Sequence, residues 1–246
     1  MTITLCIDVG GTGLKAALVD DDAQILGEQV RLKTPYPCPP DRLVERLTKL
    51  VEHIGTYDRV SVGFPGLVRD GVVHHVPALS RKTQAGETDQ ALVDAWRGYE
   101  LQSTLKRAFG KPTKVANDAD VQGTAVIGGR GFEFVMTLGT GVGTAVFQNG
   151  ALLPHIELSH AHFRRGETFD EALGNARRKQ IGDHHWQREV VKAIRAFDAF
   201  LYFDHCYVGG GNATRMKGIR LPEHCTLVSN TAGLTGGVKL WSSRGR

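Results

Sequence analysis

The chain opens on short apolar runs broken by polar or glycine-rich turns, a pattern of strands rather than of long helices. Residues 4–8 read as a buried strand, 15–20 as a second, and Asp20-Asp21-Asp22 as the turn into a third over 25–32. Pro39-Pro40-Asp41 then starts a helix whose Leu43, Leu47, Leu50, Val51 and Ile54 share one face, and Gly55 closes it before a strand at 59–63. The order βββαβ follows. Between Val76 and Gly98 the apolar period fades into polar residues, which predicts a surface excursion; an amphipathic helix through Leu101, Leu105 and Phe109 leads to a strand at 113–116. The pattern then recurs. A helix at 119–127 precedes strands at 134–138 and 144–148, helices at 169–178 and 186–203, strands at 206–208 and 226–229, and a helix at 231–241.

Two of the turns are alike. Asp8-Val9-Gly10-Gly11-Thr12-Gly13-Leu14-Lys15 and Leu138-Gly139-Thr140-Gly141-Val142-Gly143 each join one strand to the next. Two strand, Gly/Thr turn, strand units about 130 residues apart point to a duplicated domain, not a short-period solenoid. The expected division is 1–115 and 116–246, with the last helix a candidate to return to the first domain.

Composition narrows the class. At 246 residues, 41% hydrophobic and 23% charged, the chain is neither disordered nor collagen-like. No apolar run approaches the roughly 20 residues a membrane helix needs, and the N-terminus lacks the basic stretch of a signal peptide, so a cytoplasmic protein is expected. The cysteines Cys6, Cys38, Cys206 and Cys225 form no CxxC and no metal-like spacing, which predicts reduced thiols. Through residue 118 the chain has 15 Lys and Arg against 15 Asp and Glu; beyond it, 15 face 11. That basic lean suits a phosphate-rich ligand or an ordinary solvated surface.

Gly-rich turns let backbone N–H groups crowd round a phosphate, because no Cβ blocks the approach. Neither turn is a P-loop or a dinucleotide fingerprint, since GxxxxGK[ST] and GxGxxG are absent and a strand follows each. A single such turn is as well read as a β-hairpin. Two of them, with Asp8 before the first and Lys15 after it, favour phosphate. Asp8, ending a buried strand, is placed to hold Mg²⁺ through water.

Six motifs in order, Asp8 to Lys15, Gly63-Phe64-Pro65-Gly66, Asn117-Asp118-Ala119-Asp120, Leu138 to Gly143, Glu157-Leu158-Ser159-His160 and Gly209-Gly210-Gly211, resemble the ROK family of sugar kinases. Within it the chain looks most like the polyphosphate glucokinase branch. The resemblance implies an α/β fold of two actin-like, ribonuclease-H-like βββαβα domains around a cleft. It implies phosphoryl transfer from polyphosphate or ATP to glucose or a related hexose, with Mg²⁺ as cofactor. Asp118 would be the catalytic base, although Asp at a helix start is also a common N-cap. Gly66, Asn117, Asp118, Glu157 and His160 would bind the sugar. Asp8, Gly10, Gly11, Thr12, Lys15, Gly139, Thr140, Gly141, Gly209, Gly210 and Gly211 would bind the donor.

The chain departs from the family in two places. Ser159 stands where the family usually has Gly. The Cys-rich zinc loop of many members is replaced by Ala161-His162-Phe163-Arg164-Arg165-Gly166-Glu167, so no structural zinc is expected. Arg164, Arg165, Arg177, Arg178, Lys179, Lys192 and Arg195 are candidates for a polyphosphate track. The alternative function is a non-catalytic sugar- or nucleotide-binding relative. The family's repressors carry an N-terminal helix-turn-helix for which a phosphate turn at residue 10 leaves no room, so neither nucleic acid nor membrane is an expected partner. A homodimer stays open.

Overall fold

The structure is a computed structural model that describes residues 1–228 and 232–241. It divides into two compact units: Met1–Ala125 together with the segment from Gly233, and the stretch beginning at Val126. Each has its own sheet and core.

In the first unit β1 (Thr4–Val9), β2 (Gly13–Val19) and β3 (Ile25–Lys33) form an antiparallel meander. After α1 (Pro40–Val51), β4 (Arg59–Phe64) returns parallel to β1. The hairpin β5 (Leu67–Arg69) and β6 (Val72–His75) and helices α2 (Gln90–Trp96) and α3 (Leu101–Phe109) precede β7 (Thr113–Asn117), which lies parallel to β4. The order is β3-β2-β1-β4-β7. The sheet is buried on both faces, which explains why β1 reads as a continuous apolar run. Leu5, Ile7 and Val9 point to the core shared with Leu43, Leu47 and Leu50 of α1, whereas Cys6 faces the other way with Ala17 and Val19.

That second face is covered by α8 (Ala232–Lys239), through Leu234 and Val238. The helix comes close because its inner side is glycine: a Cβ on Gly236 would lie 1.9 Å from the Val121 carbonyl oxygen. Ser61 Oγ donates to Gly237 O at 2.7 Å, and Trp241 Nε1 donates to Ser61 Oγ at 2.8 Å. Between them runs α4 (Asp118–Val126), whose Thr124 Oγ1 donates to Gly236 O at 2.8 Å. Thus Asp118, expected at the start of the second domain, lies with its helix's first turns in the first unit.

Residues 76–98 correct the sequence reading. They are not a surface excursion throughout, because Val76, Leu79 and Trp96 are buried in the core. Trp96 lies 5.3 Å from Phe64, ring to ring, and donates to Cys38 O at 2.9 Å. Polar residues surround these anchors, Asp89 capping α2 at Leu92 N among them, which hid the period.

The second unit repeats the plan. β8 (Phe132–Leu138), β9 (Val142–Gln148) and β10 (Ala151–Leu152) form the meander, and β13 (His205–Gly209) and β14 (Cys225–Leu227) extend it in parallel, in the order β10-β9-β8-β13-β14. Between them come the small hairpin β11 (His162–Arg164) and β12 (Glu167–Thr168), then α5 (Phe169–Leu173), α6 (Asn175–Ile181) and α7 (Asp183–Leu201). Phe169 stacks on Phe197 of α7 with centroids 4.2 Å apart, and Phe134 of β8 meets Phe197 at 4.9 Å. The single helix expected at 169–178 is in fact two. Gly174 is extended, and Asn175 N–H donates to Thr140 O at 3.0 Å, so the chain breaks to dock on the glycine turn. Of the last two elements read from the sequence, Ser229 and Thr231 lie outside the described residues.

Candidate active site

Register places the first group of candidates. Asp8 on β1 is level with Gly63 on β4, which is level with Ala116 on β7. Asp8 and the Asn117-Asp118 pair therefore sit at the same, carboxyl end of three parallel strands, where open α/β sheets place their ligands. Across the meander Asp8 is opposite Lys15, whose Nζ donates to Asp8 Oδ2 at 3.2 Å. Only 19% of the Asp8 side chain is exposed, against 40% for Lys15.

The Gly10-Gly11-Thr12 turn is held by its carbonyls. Gly10 O accepts from Thr34 Oγ1 at 2.5 Å, and Gly11 O lies 2.7 Å from the hydroxyl of Tyr36. Burial, first, and the neighbouring Cys38 push the Tyr36 phenol up, so it stays a donor at neutral pH. The N–H groups of Gly11 and Thr12 donate to no described residue. A turn tied at its acceptors with its donors left over suits an anion.

Asn117 is buried and committed to structure. Its Nδ2 donates to Gly66 O at 3.1 Å and its Oδ1 accepts from Ala119 N at 2.8 Å. The latter bond caps α4, sharing the Ala119 N–H with Asp118 Oδ1 at 2.9 Å. Asp118 itself is the first residue of the helix, half-buried. Gly66 has a local reason as well: a Cβ there would lie 2.3 Å from His75 O of the β5–β6 hairpin.

In the second unit the structure joins the other two glycine turns. Asn212 Nδ2 donates to Gly139 O at 2.9 Å, tying the Gly209-Gly210-Gly211 turn to Gly139-Thr140-Gly141. Gly210 has φ +86 and packs directly on the Leu138 backbone. Asp170 on α5 accepts from Val142 N at 2.7 Å. Asn175 and Asp170 were not singled out from the sequence; an Asp or Asn in a helix's first turn is too common to signal a site.

Glu157 caps and His160 ends a single 3₁₀ turn, Leu158–His160, fixed by His160 N–H donating to Glu157 O at 3.1 Å. Thr144 Oγ1 donates to Ile156 O at 3.2 Å and anchors the turn on β9. Ser159, the departure from the family, turns its side chain inward and is 2% exposed. The sequence reading missed His155, buried, with Nε2 3.5 Å from Glu157 Oε1. Glu171 caps α5 nearby; the Thr168 hydrogen bonds, and the fields of His162 and His160, hold its carboxyl down.

The basic candidates divide. Arg164 is paired with Glu189 at 2.6 Å and Glu167 at 3.3 Å, Arg177 with Glu167 at 3.9 Å, and Arg178 with Asp183. These three brace their hairpin and helices. Among the described residues no group of three His, Cys, Asp or Glu is arranged to hold a metal ion.

Two sheets of identical strand order, each opening on a hairpin with a Gly/Thr turn, define the actin-like ATPase fold of the sugar kinases. The ROK family model matches residues 4–156, and the chain belongs to the ROK family. It is 29% identical to a polyphosphate glucokinase of Mycobacterium tuberculosis over 94% of this chain and 88% of that protein. It is 36% identical to an N-acetylmannosamine kinase of Citrobacter koseri, covering 87% and 73% of the two chains. The inorganic polyphosphate/ATP-glucomannokinase of Arthrobacter sp. strain KM superposes with a TM-score of 0.84 at 26% identity, over the full length of both.

Proposed function

We propose that the protein is a cytoplasmic sugar kinase transferring a phosphoryl group from polyphosphate or ATP to the 6-hydroxyl of glucose or a related hexose. The observation that carries this reading is the placement of Asp118 at the end of β7, on the strand end that also bears Asp8 and the first glycine turn.

A sugar hydroxyl is a weak nucleophile at neutral pH. Asp118 accepts its proton as the oxygen attacks the terminal phosphorus, and the bond from phosphorus to the bridging oxygen breaks toward the donor. Ala119 N–H keeps the Asp118 carboxylate oriented. The Gly10-Gly11-Thr12 and Gly139-Thr140-Gly141 turns bind phosphate oxygens through N–H groups, with Lys15 adding charge. Gly209-Gly210-Gly211 takes the distal part of the donor. From the second unit Glu157 and His160 serve the ring hydroxyls, where a carboxylate can accept from two neighbouring hydroxyls at once; from the first, Asn117 and Gly66 serve the sugar.

Asp8, partly buried and with Oδ2 paired to Lys15, would hold Mg²⁺ through water beside phosphates. The chemistry such an ion would supply is neutralisation of charge on the phosphate oxygens.

The test is a grid of donors and sugars on purified protein, with Asp118→Ala beside the wild type. Turnover of the variant should fall about 10²–10⁴-fold while sugar still binds, the usual worth of a placed base. Near-normal turnover would remove Asp118 from this role.

A further inference from the structure

We propose that the exposed face of α7, with the segment that follows the third glycine turn, forms a secondary binding groove for the distal part of a polyphosphate chain. The proposal rests on the donor reading above and extends it to a surface that reading does not use.

A cavity of about 350 Å³ opens between α7 and residues 219–220. Val191 and Ile219, both half-buried, contribute its apolar part, and Arg188, Lys192, Arg195 and Arg220 stand exposed around it. No acidic side chain lines it. Positions 188, 192 and 195 follow the i, i+4, i+7 spacing of one helix face, so three cations form a stripe about 10 Å long at 1.5 Å per residue. Arg220 contributes a fourth from the other wall.

These cations differ from the bracing arginines. Arg188, Arg195 and Arg220 have no ion pair with a described residue, and Lys192 is held only by Glu189 at 3.1 Å. Like charges this close repel one another, and nothing in the fold requires them there. A flexible polyanion relieves that repulsion.

Continuity with the donor turns selects the occupant. The 3₁₀ segment Gly211–Met216 leads from the third glycine turn directly into Ile219 and Arg220. Gln187, also on the groove, donates to Arg215 O of that segment. A linear anion with one charge per unit can therefore pass from the Gly209–Gly211 turn onto α7 within a single unit. A long chain seated at the glycine turns gains more from the added cations than ATP or tripolyphosphate, which carry only three phosphate units.

The double variant Arg188→Gln, Arg220→Gln tests this, removing two charges; Gln is nearly as good a helix former as Arg at 188, and 220 lies outside a helix. KM for polyphosphate of some tens of units should rise roughly fivefold and depend less steeply on salt, since two counterion-releasing contacts are removed. KM for ATP and for tripolyphosphate, and kcat with each donor, should stay unchanged. Equal KM changes for long and short donors, or none for the long one, would overturn the groove. Binding of fluorescently labelled long-chain polyphosphate without sugar is measured in parallel. If the wild type proves inactive as a kinase yet binds the chain and the variant binds it roughly fivefold more weakly, the groove stands and the kinase reading fails. If the wild type phosphorylates sugar from ATP but does not bind the chain, the groove is wrong and the kinase reading stands. Stronger retention of a single-stranded oligonucleotide than of polyphosphate would also overturn the assignment.

Discussion

His155 stands behind one of the residues proposed to bind the sugar. Its ring is buried with Nε2 3.5 Å from Glu157 Oε1, close enough to bias the position of the carboxylate proposed to grip the sugar. We expect His155→Leu to raise KM for sugar about tenfold with a smaller change in kcat, and His155→Gln to restore part of it. A drop in kcat alone, at unchanged KM, would speak for general misfolding or a different role. Asp8 could be singled out from the sequence because it ends an apolar run with a charge, an arrangement a core would not tolerate without use; Asp118, after Lys114 and Asn117, reads locally as an ordinary helix start and is offered only by the family resemblance. His155 could not be singled out, since nothing local marks a histidine after Pro154 as buried. Thiols give a second check at this scale. Burial pushes Cys6 and Cys38 up to about 12, whereas half-buried Cys225 is lowered by the hydrogen bond from Cys206, its level partner on β13. Thiolate is the reactive form and appears as pH rises through the pKa. At pH 8, then, alkylation of the native protein should modify Cys225 first, with its rate levelling off below the ordinary thiol pKa. Peptide mapping that found Cys6 or Cys38 modified first would contradict this packing.

Elements were most legible where period and punctuation agreed. The three opening strands and α1 follow from alternation, Pro39-Pro40 and Gly55. The 76–98 stretch failed because its four anchors, Val76, Leu79, Leu92 and Trp96, are spaced too irregularly for either template. The split of α5 from α6 failed because its cause, the Asn175 bond to Thr140, is thirty-five residues away in sequence. Helix α8 supplies the sharpest test. Replacing a mid-helix glycine with alanine normally gains up to about 1 kcal/mol. At Gly236 the added methyl runs into the Val121 backbone, which cannot swing aside as a side chain would. Overpacking of this kind costs roughly 1–3 kcal/mol, so Gly236→Ala should lower the urea midpoint. A raised midpoint would mean that α8 does not lie against α4 as described.

At the scale of the whole molecule, two cores mean that unfolding need not be a single step. Sugar bound to the native state should stabilise it by about 2.7 kcal/mol at a hundredfold excess over Kd. Glucose and N-acetylmannosamine, the sugars named in its relatives, should be separated by their thermal shifts at one common concentration, and Asp118→Ala should keep the shift while losing turnover. A variant that lost both would point to a binding rather than a proton-accepting role. The duplication was legible because both halves begin with the same turn; the return of the last helix to the first unit was only a candidate, since a glycine-rich helix carries little period of its own. That return also bears on synthesis. On the ribosome the sheet of the first unit is made early, but Cys6, Ala17 and Val19 stay bare on one face until α8 emerges, after every strand of the second unit. The nascent chain therefore carries a sticky, half-finished layer for over a hundred residues of translation, and deleting α8 should yield a protein that aggregates rather than one that merely loses activity.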